Sequence, residues 1–303
     1  LHLSIRRQRQ MCIRDSSTNL MGRIHAEFPD KLTISVQNGF RSGPKYRTNS
    51  YSRLPVSLFY CFGEHDELKM KSMGIKHKEY VAAGSLVYGL YKKKCREDIK
   101  NKYDVCFISQ LNFDARDDSR IASLNEHIDS IFSSLITACK ELNLSLAVGM
   151  RNETTSLSYS SEFNHLSAID TEGFAKIIPN NFGTSEGYNV STQSNILVSV
   201  QSTLGFEMFG AGNKVLFGAS INNFTHAHYW DAFDNFNKLP RMNQLDDFSV
   251  NSMLSKLNFL IDIDINEYLE QTANTRKYYM NHCDKLSTHE LIKNKMLEFL
   301  SIA

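Results

Sequence analysis

The sequence predicts an α/β protein built on parallel β-sheets. Short segments of strand length, rich in apolar and β-branched residues, alternate along the chain with longer segments whose apolar residues recur every three or four positions. Glycines, prolines and polar pairs mark the joins between them. This alternation is typical of parallel strands connected by right-handed helical crossovers.

The composition indicates a soluble globular protein with reduced cysteines. The 303 residues suit two domains of ordinary size or one large domain, and 42% of them are hydrophobic and 22% charged. A net charge of +1 gives no electrostatic reason to expect nucleic acid as a partner. The six cysteines are scattered without a CxxC pair, which favours a cytoplasmic protein over a disulfide framework or a zinc site. No apolar run has the length needed to cross a bilayer.

The order of the elements predicts a smaller and a larger sheet, followed by a helical C-terminal tail. The first part of the chain has predicted strands at 31–36, 56–62 and 79–83, and a predicted helix at 64–73. The second part has predicted strands at 103–109, 144–148, 174–178, 196–200 and 214–217, and predicted helices at 119–142, 205–211, 250–260, 265–280 and 288–300.

The first sixteen residues do not have the pattern of a folded segment. They lack a helical or strand period, and Met11 to Asp15 resembles a translation of the transposon end used in preparing metagenomic sequencing libraries. We expect residues 1–16 to be a non-native, disordered artefact. We expect residues 17–86 to be the remnant of an incomplete N-terminal domain, 87–102 a linker, 103–285 a C-terminal domain and 286–303 a final helix.

The segment from Ile196 to Phe217 predicts a strand, a tight turn, a helix and a second strand. Ser202 or Thr203 can cap the helix, whose first N–H groups then attract phosphate. Gly205 allows a ligand or the neighbouring strand to come close. Glu207, placed in the first turn, is suited to accept a sugar hydroxyl. The alternative is a plain capping box with a solvated Glu207, which the spacing alone favours.

Ligands of parallel sheets bind at the carboxyl ends of the strands. The turns that follow the predicted strands are therefore candidate binding positions, namely those after Val36, Ser109, Val148 and Val200. The turn of Gln37, Asn38 and Gly39 is either part of a binding cleft or an ordinary β-turn. Arg151 either holds a diphosphate through its guanidinium or forms a surface ion pair. Glu162 is a candidate second acid of the same site, although nothing in its spacing requires this role.

Two pairs of residues have the types that bind metals, but their context favours structural roles. His226 and His228 form an HxH pair without a matching carboxylate or cysteine, so aromatic packing in a loop is the expected role. Asp246 and Asp247 precede an apolar run, and we expect them to cap the helix that begins near Val250. We expect no metal and no cofactor.

The chain resembles GT-B glycosyltransferases that build bacterial surface polysaccharide, and more distantly capsule-type Kdo transferases. The resemblance covers about 33 to 285 and depends on the order of several short motifs. The second-domain motif lies within ILVSVQSTLGFEMFGAGNKVLF, and the other matching pieces are VQNG at 36–39, FG at 62–63, GSL at 84–86 and YDVCFISQ at 103–110.

This resemblance implies two Rossmann-like domains and a nucleotide-sugar donor bound to the second. Ser202 and Thr203 would contact phosphate, and Glu207 would contact ribose or sugar hydroxyls. The reaction would transfer the sugar to a surface polysaccharide or lipopolysaccharide acceptor, which is a glycan or a lipid-linked glycan. The protein would work in the cytoplasm, in peripheral contact with the inner face of the inner membrane.

Other activities fit the same fold. A polyol-phosphate transferase and a sugar-nucleotide epimerase are enzymatic alternatives, and a non-catalytic nucleotide-sugar-binding partner protein is the third. The sequence identifies no catalytic base. If the first domain is truncated, the chain would bind a donor without being able to transfer its sugar.

Overall fold

The computed structural model describes residues 24–39, 55–94, 101–113, 119–218, 238–282 and 286–302. These residues belong to two compact units, of which the first comprises Leu1–Leu90 with Lys277–Ala303 and the second Tyr91–Arg276. The expected artefact at 1–16 and the His226–His228 pair lie outside the described residues.

The described elements alternate between strands and helices over most of the chain. In chain order they are β1 (Ile34–Val36), β2 (Leu58–Cys61), α1 (Glu64–Ser72), β3 (Glu79–Ala82), α2 (Leu86–Lys94), β4 (Tyr103–Ile108), α3 (Ser119–Glu141), β5 (Leu146–Glu153), α4 (Tyr159–Ile169), β6 (Lys176–Asn180), α5 (Glu186–Thr192), β7 (Ser194–Ser199), α6 (Thr203–Gly210), β8 (Lys214–Phe217), a short 3₁₀ helix (Arg241–Asn243), α7 (Val250–Asp262), α8 (Ile265–Tyr279) and α9 (Thr288–Ile302).

The first unit contains a parallel sheet in the order β1-β2-β3. The C-terminal part of the chain returns to this sheet, where the backbone N–H of Asn281 donates to Phe62 O at 2.7 Å and its side chain donates to Ala82 O at 2.9 Å. Gly63 permits this approach, because a Cβ atom there would lie only 2.3 Å from the carbonyl oxygen of Tyr278. A side chain at position 63 would therefore displace the returning segment.

Neutral polar side chains join the amino ends of the three strands in this unit. Thr33 and Ser57 exchange hydrogen bonds between backbone N–H groups and hydroxyl oxygens at 2.9 and 3.1 Å. His77 Nδ1 accepts from the N–H of Val56 at 3.2 Å, and its ring stacks on Phe59 with centroids 4.6 Å apart. Burial, and secondarily the charge of His25, lower the pKa of His77 to about 4. His77 is therefore neutral in the folded protein near pH 7.

The second unit contains a fully parallel sheet in the order β6-β5-β4-β7-β8. The central strands are buried apolar segments, as expected for a sheet covered on both faces. One group of helices, α3, α4 and α7, packs together, and α5 and α6 pack together as a second group. This is a doubly wound α/β unit, which confirms the α/β class and the parallel sheets predicted from the sequence.

The predicted strands agree with the observed strands except for shifts at their ends, the largest at β5, which continues five residues beyond its predicted end to Glu153. Three helices were not predicted. The helix α2 occupies much of the predicted linker 87–102. The helices α4 and α5 lie in segments that have no clear apolar period. The division between the two compact units falls within α8, at Arg276 and Lys277.

Three cysteines of the described residues, Cys61, Cys106 and Cys139, are free and buried. Burial raises the pKa of Cys106 and Cys139 to about 12, so both thiols stay protonated at neutral pH. They serve as small core side chains. Among the described helices, none combines the length and the apolar character that crossing a bilayer would require.

Candidate functional site

The strand order of the second unit locates a crevice at the carboxyl ends of β4 and β7. From β4 the chain adds β5 and β6 on one side, and then returns to place β7 and β8 on the other side. The loops after β4 and β7 therefore leave the sheet in opposite directions, which is where doubly wound sheets bind ligands. Gln110 joins the two loops, because its side-chain carbonyl accepts from the backbone N–H of Gln201 at 2.7 Å.

Ser202 caps the helix α6 at this crevice. Its Oγ accepts from the N–H of Gly205 at 2.9 Å and from the hydroxyl of Ser199 at 3.2 Å. Within the part of the chain that the structure describes, the hydroxyl hydrogen of Ser202 has no acceptor, so this group can donate to an oxygen of a ligand. Thr203 is the first residue of α6, where the helix dipole favours an anion.

Gly205 serves the packing of α6 on the sheet. A Cβ atom at this position would lie 2.8 Å from Ser199 Oγ and 2.9 Å from Ser199 Cβ. The glycine lets the helix approach the end of β7, which is one of the two roles that the sequence left open. The partner it meets in the structure is thus the neighbouring strand.

Glu207 differs from the sequence prediction in its position and its environment. It is the fifth residue of α6, so it lies beyond the first turn, and Gly205 occupies the place that a capping-box acid would take. Its carboxylate is buried and accepts from the hydroxyl of Tyr188 at 2.8 Å. The ring of Tyr188 stacks on Tyr91 at 4.9 Å. The predicted position of Glu207 in the first turn is therefore wrong, and so is the alternative of a capping box with a solvated acid.

Arg151 lies at the carboxyl end of β5 and is exposed. Its Nη1 donates to the carbonyl oxygens of Gln110 at 3.3 Å and Leu111 at 3.2 Å, in the loop that follows β4. The described residues show no ion pair of Arg151 with Glu153. The guanidinium therefore lies over the loop at the crevice. Its remaining N–H groups are available to donate to a ligand.

Glu162, whose spacing in the sequence required no role in the site, lies under the same loops in the structure. It lies on α4 with none of its surface exposed. It accepts from the hydroxyl of Ser109 at 2.5 Å and from the N–H of Arg151 at 3.0 Å. No sequence signal identifies this arrangement, because the donors come from the ends of two different strands and Ser109 lies 53 positions from Glu162.

The turn of Gln37, Asn38 and Gly39 belongs to the first unit. The Gln37 side chain is buried, donates to Gly39 O at 3.2 Å and accepts from the N–H of Phe62 at 3.3 Å. These bonds close the turn and attach it to the end of β2. The structure thus shows a structural use of Gln37, and Asn38 is exposed.

A groove of about 510 Å³ opens at the opposite, amino edge of the second unit's sheet. Its lining includes Asp104, Asn213 and Lys214, and none of the predicted site residues. Lys214 donates from Nζ to the carbonyl oxygens of Leu260 and Ile263 at the end of α7. No group of three His, Cys, Asp or Glu side chains within the described ranges could hold a metal ion.

One protein family matches the sequence. A family described as "putative O-antigen biosynthesis protein" matches residues 34–236, which is more than half of the chain. No protein with curated annotation matches the sequence significantly.

Solved structures share the fold at low sequence identity. The MnaA–UDP structure from S. aureus has a TM-score of 0.57 at 12% identity and covers 92% of this chain and 72% of its own. The UDP-GlcNAc 2-epimerase of Neisseria meningitidis bound to UDP-GlcNAc has a TM-score of 0.54 at 15% identity, covering 91% and 72%. Anabaena Alr3699/HepE in complex with UDP and glucose has a TM-score of 0.51 at 10% identity, covering 92% and 74%.

The chain spans only 66% to 74% of the length of the structures to which it is similar. At these identities the likeness shows the fold, which is GT-B-like with two parallel-sheet units. The family match shows the biological context, which is surface carbohydrate biosynthesis. The chain therefore belongs to the family of O-antigen biosynthesis proteins and has a GT-B-like fold.

Proposed function

We propose that the chain binds a nucleotide-sugar donor at the carboxyl edge of the five-stranded sheet and belongs to a glycosyltransferase of surface polysaccharide synthesis. One observation carries the proposal. Gln110 connects the exposed guanidinium of Arg151 to the loop that leads into the Ser202 cap, so a cation and a helix N-terminus border the same crevice. This combination suits a diphosphate.

The same groups would stabilise the leaving group of sugar transfer. When the bond between the anomeric carbon and the diphosphate breaks, negative charge grows on the phosphate oxygens. Ser202 can donate its hydroxyl hydrogen, the first turn of α6 supplies backbone N–H groups including that of Thr203, and Arg151 adds a positive charge. Preorganised donors of this kind are a major source of catalysis in group transfer.

Glu207 would bind the hydroxyls of the ribose or the sugar. Its carboxylate already accepts a hydrogen bond from a hydroxyl, that of Tyr188 at 2.8 Å, which supports a role in binding hydroxyl donors. A ligand hydroxyl would share or replace that contact. The acceptor would be a glycan or a lipid-linked glycan, reached by peripheral contact with the inner face of the inner membrane.

Epimerisation of a nucleotide sugar is a second candidate for the reaction. It is favoured by the structures with the same fold, since the Neisseria meningitidis protein is a UDP-GlcNAc 2-epimerase. Epimerisation and transfer both need a diphosphate site, so the donor site is common to the two candidates. A polyol-phosphate transferase and a non-catalytic nucleotide-sugar-binding partner would use the same crevice.

Calorimetry with UDP, UDP-GlcNAc, UDP-glucose and GDP-mannose tests the donor site. We expect at least one to bind to the chain, and the Ser202→Ala, Thr203→Ala double variant to bind it more weakly. If none of the four binds, the donor-site proposal is wrong. Full affinity in the double variant would remove these residues from the site.

Product analysis with the bound nucleotide sugar separates the reactions. Release of a nucleoside diphosphate with a glycosylated acceptor indicates transfer, whereas a new nucleotide sugar of equal mass indicates epimerisation. Binding without either product in the complete gene product would favour the non-catalytic partner.

A further inference from the structure

We propose that Glu162 is the positioning residue of the nucleotide site, because it holds Arg151 and the loop after β4 in the arrangement that receives the diphosphate. This inference rests on the proposed function. Glu162 itself touches no ligand in this scheme, since none of its surface is exposed.

The carboxylate of Glu162 is surrounded by donors. Oε1 accepts from the hydroxyl of Ser109 at 2.5 Å and from the N–H of Arg151 at 3.0 Å. Oε2 accepts from the N–H and the side-chain amide of Asn152, both at 2.8 Å. The two carboxyl oxygens of Glu162 thus receive four hydrogen bonds, which compensate for the burial of this polar group.

These bonds stabilise an irregularity in β5. Between Gly149 and Glu153 the strand advances four positions while its partner β6 advances only from Ile178 to Asn180. The extra residues turn the N–H groups of Arg151 and Asn152 away from the sheet and toward Glu162. Bulges of this kind redirect side chains at the edges of sheets.

The carbonyl group of Arg151 is also fixed, because the side-chain amide of Asn180 donates to it at 3.0 Å. With its backbone held on both sides, Arg151 extends over the loop after β4 and donates to Gln110 and Leu111. Glu162 holds the start of that same loop through Ser109. One buried carboxylate thus determines both the position of the guanidinium and the surface on which it rests.

Calorimetry of UDP binding tests this role, with Asp170→Asn as the matched control. Asp170 is also a buried carboxylate, and it accepts from the N–H groups of Phe174 at 3.0 Å and Ala175 at 2.7 Å in the turn before β6. We expect Glu162→Gln to weaken UDP binding at least ten-fold. Asp170→Asn should lower the melting temperature but change UDP affinity less than two-fold.

A double-variant cycle with Arg151→Met shows whether Glu162 acts through Arg151. In the Arg151→Met background, adding Glu162→Gln should lower UDP affinity clearly less than in the unsubstituted chain, since the guanidinium is already gone and only the link to the loop remains. An undiminished ten-fold loss in that background would overturn the inference.

Ser109→Ala provides a variant that keeps the carboxylate and three of its donors, in case Glu162→Gln does not fold. We expect a three-fold or larger loss of UDP affinity from it, and unchanged affinity would contradict the proposed link to the loop.

The outcomes of these binding experiments distinguish a failure of this inference from a failure of the proposed function. If the unsubstituted chain does not bind UDP, the donor site for UDP is wrong and the inference falls with it. If it binds UDP and Glu162→Gln binds equally well, the donor site stands and the inference alone is wrong.

Discussion

Each of the two parallel sheets has a network of polar side chains, at the amino ends of the strands in the first unit and at the carboxyl ends in the second. In the first unit the polar side chains lie just before the three strands and belong to Thr33, Ser57 and His77. All three form hydrogen bonds as neutral groups. In the second unit Ser109 and Ser202 follow β4 and β7, and the ionisable Glu162 lies beneath the same edge. A network at the amino ends secures the strands against each other, whereas one at the carboxyl ends shapes the place where such sheets bind ligands.

The first prediction compares two glycines that allow close packing in the two units, and it has the largest expected effect. We expect Gly63→Ala to lower the free energy of unfolding by about 3 kcal/mol, because its Cβ would meet a backbone carbonyl. Gly205→Ala meets the side chain of Ser199 rather than a backbone carbonyl and should cost about 1 to 2 kcal/mol. Urea denaturation measures both, and a smaller loss for Gly63→Ala would contradict the comparison.

The second prediction uses the neutral histidine of the first unit. His77 has a pKa of about 4 in the folded state and 6.5 as its ordinary value. Between these values the unfolded chain binds a proton that the folded chain does not. Stability should therefore be full above pH 6.5 and fall by up to about 3 kcal/mol as the pH declines to 4.

Urea denaturation at several pH values checks the His77 prediction, with His77→Gln as the variant that lacks the titrating group. The variant should lose less stability than the unsubstituted chain over the same interval. Equal losses in both proteins would show that other groups cause the acid sensitivity.

The third prediction compares a hydrogen bond to a carboxylate with one to a carbonyl. Tyr188 donates to Glu207 in the second unit, and Tyr80 donates to Ile75 O in the first, both at 2.8 Å. Tyr188→Phe should cost about 2 kcal/mol and Tyr80→Phe about 1 kcal/mol, since bonds to charged groups contribute more. Thermal unfolding of the two variants tests the order, and the reverse order would contradict this comparison of the two acceptors.

The smallest expected effect on stability comes from two matched helix caps. Ser202 and Ser249 each accept from the N–H three residues later, at the starts of α6 and α7. Each change to alanine should cost about 1 kcal/mol. Only Ser202→Ala should weaken UDP binding in calorimetry, and equal affinities in both variants would remove Ser202 from the donor site.

The sequence was sufficient for most of the fold, because apolar period and turn residues are local signals. The corner formed by β7, α6 and β8 was predicted from the serine, threonine and glycine between two apolar runs, and the structure confirms it. The helices α2 and α4 were missed because Gly89 interrupts the first and serines dilute the apolar period of the second. Their stability comes from packing, which a local pattern does not record.

The candidate site was less accessible to sequence reasoning. The local sequence pattern identifies Ser202 as a helix cap. The position of Arg151 after a predicted strand identifies it as a candidate ligand-binding residue. The role of Glu162 depends on a bulge in β5 and on Ser109, which is 53 positions away in the sequence. The burial of Glu207 likewise involves a contact that the sequence pattern does not indicate, because Tyr188 lies on α5, a helix that was not predicted.

The return of the C-terminal segment to the first unit has a consequence for synthesis on the ribosome. The second unit, Tyr91–Arg276, is continuous in the sequence and can complete its contacts as soon as it has emerged. The first unit needs residues beyond 276, including Asn281, which binds Phe62 and Ala82. Because domains usually fold during translation as their residues appear, the part of the chain made first should complete its structure last.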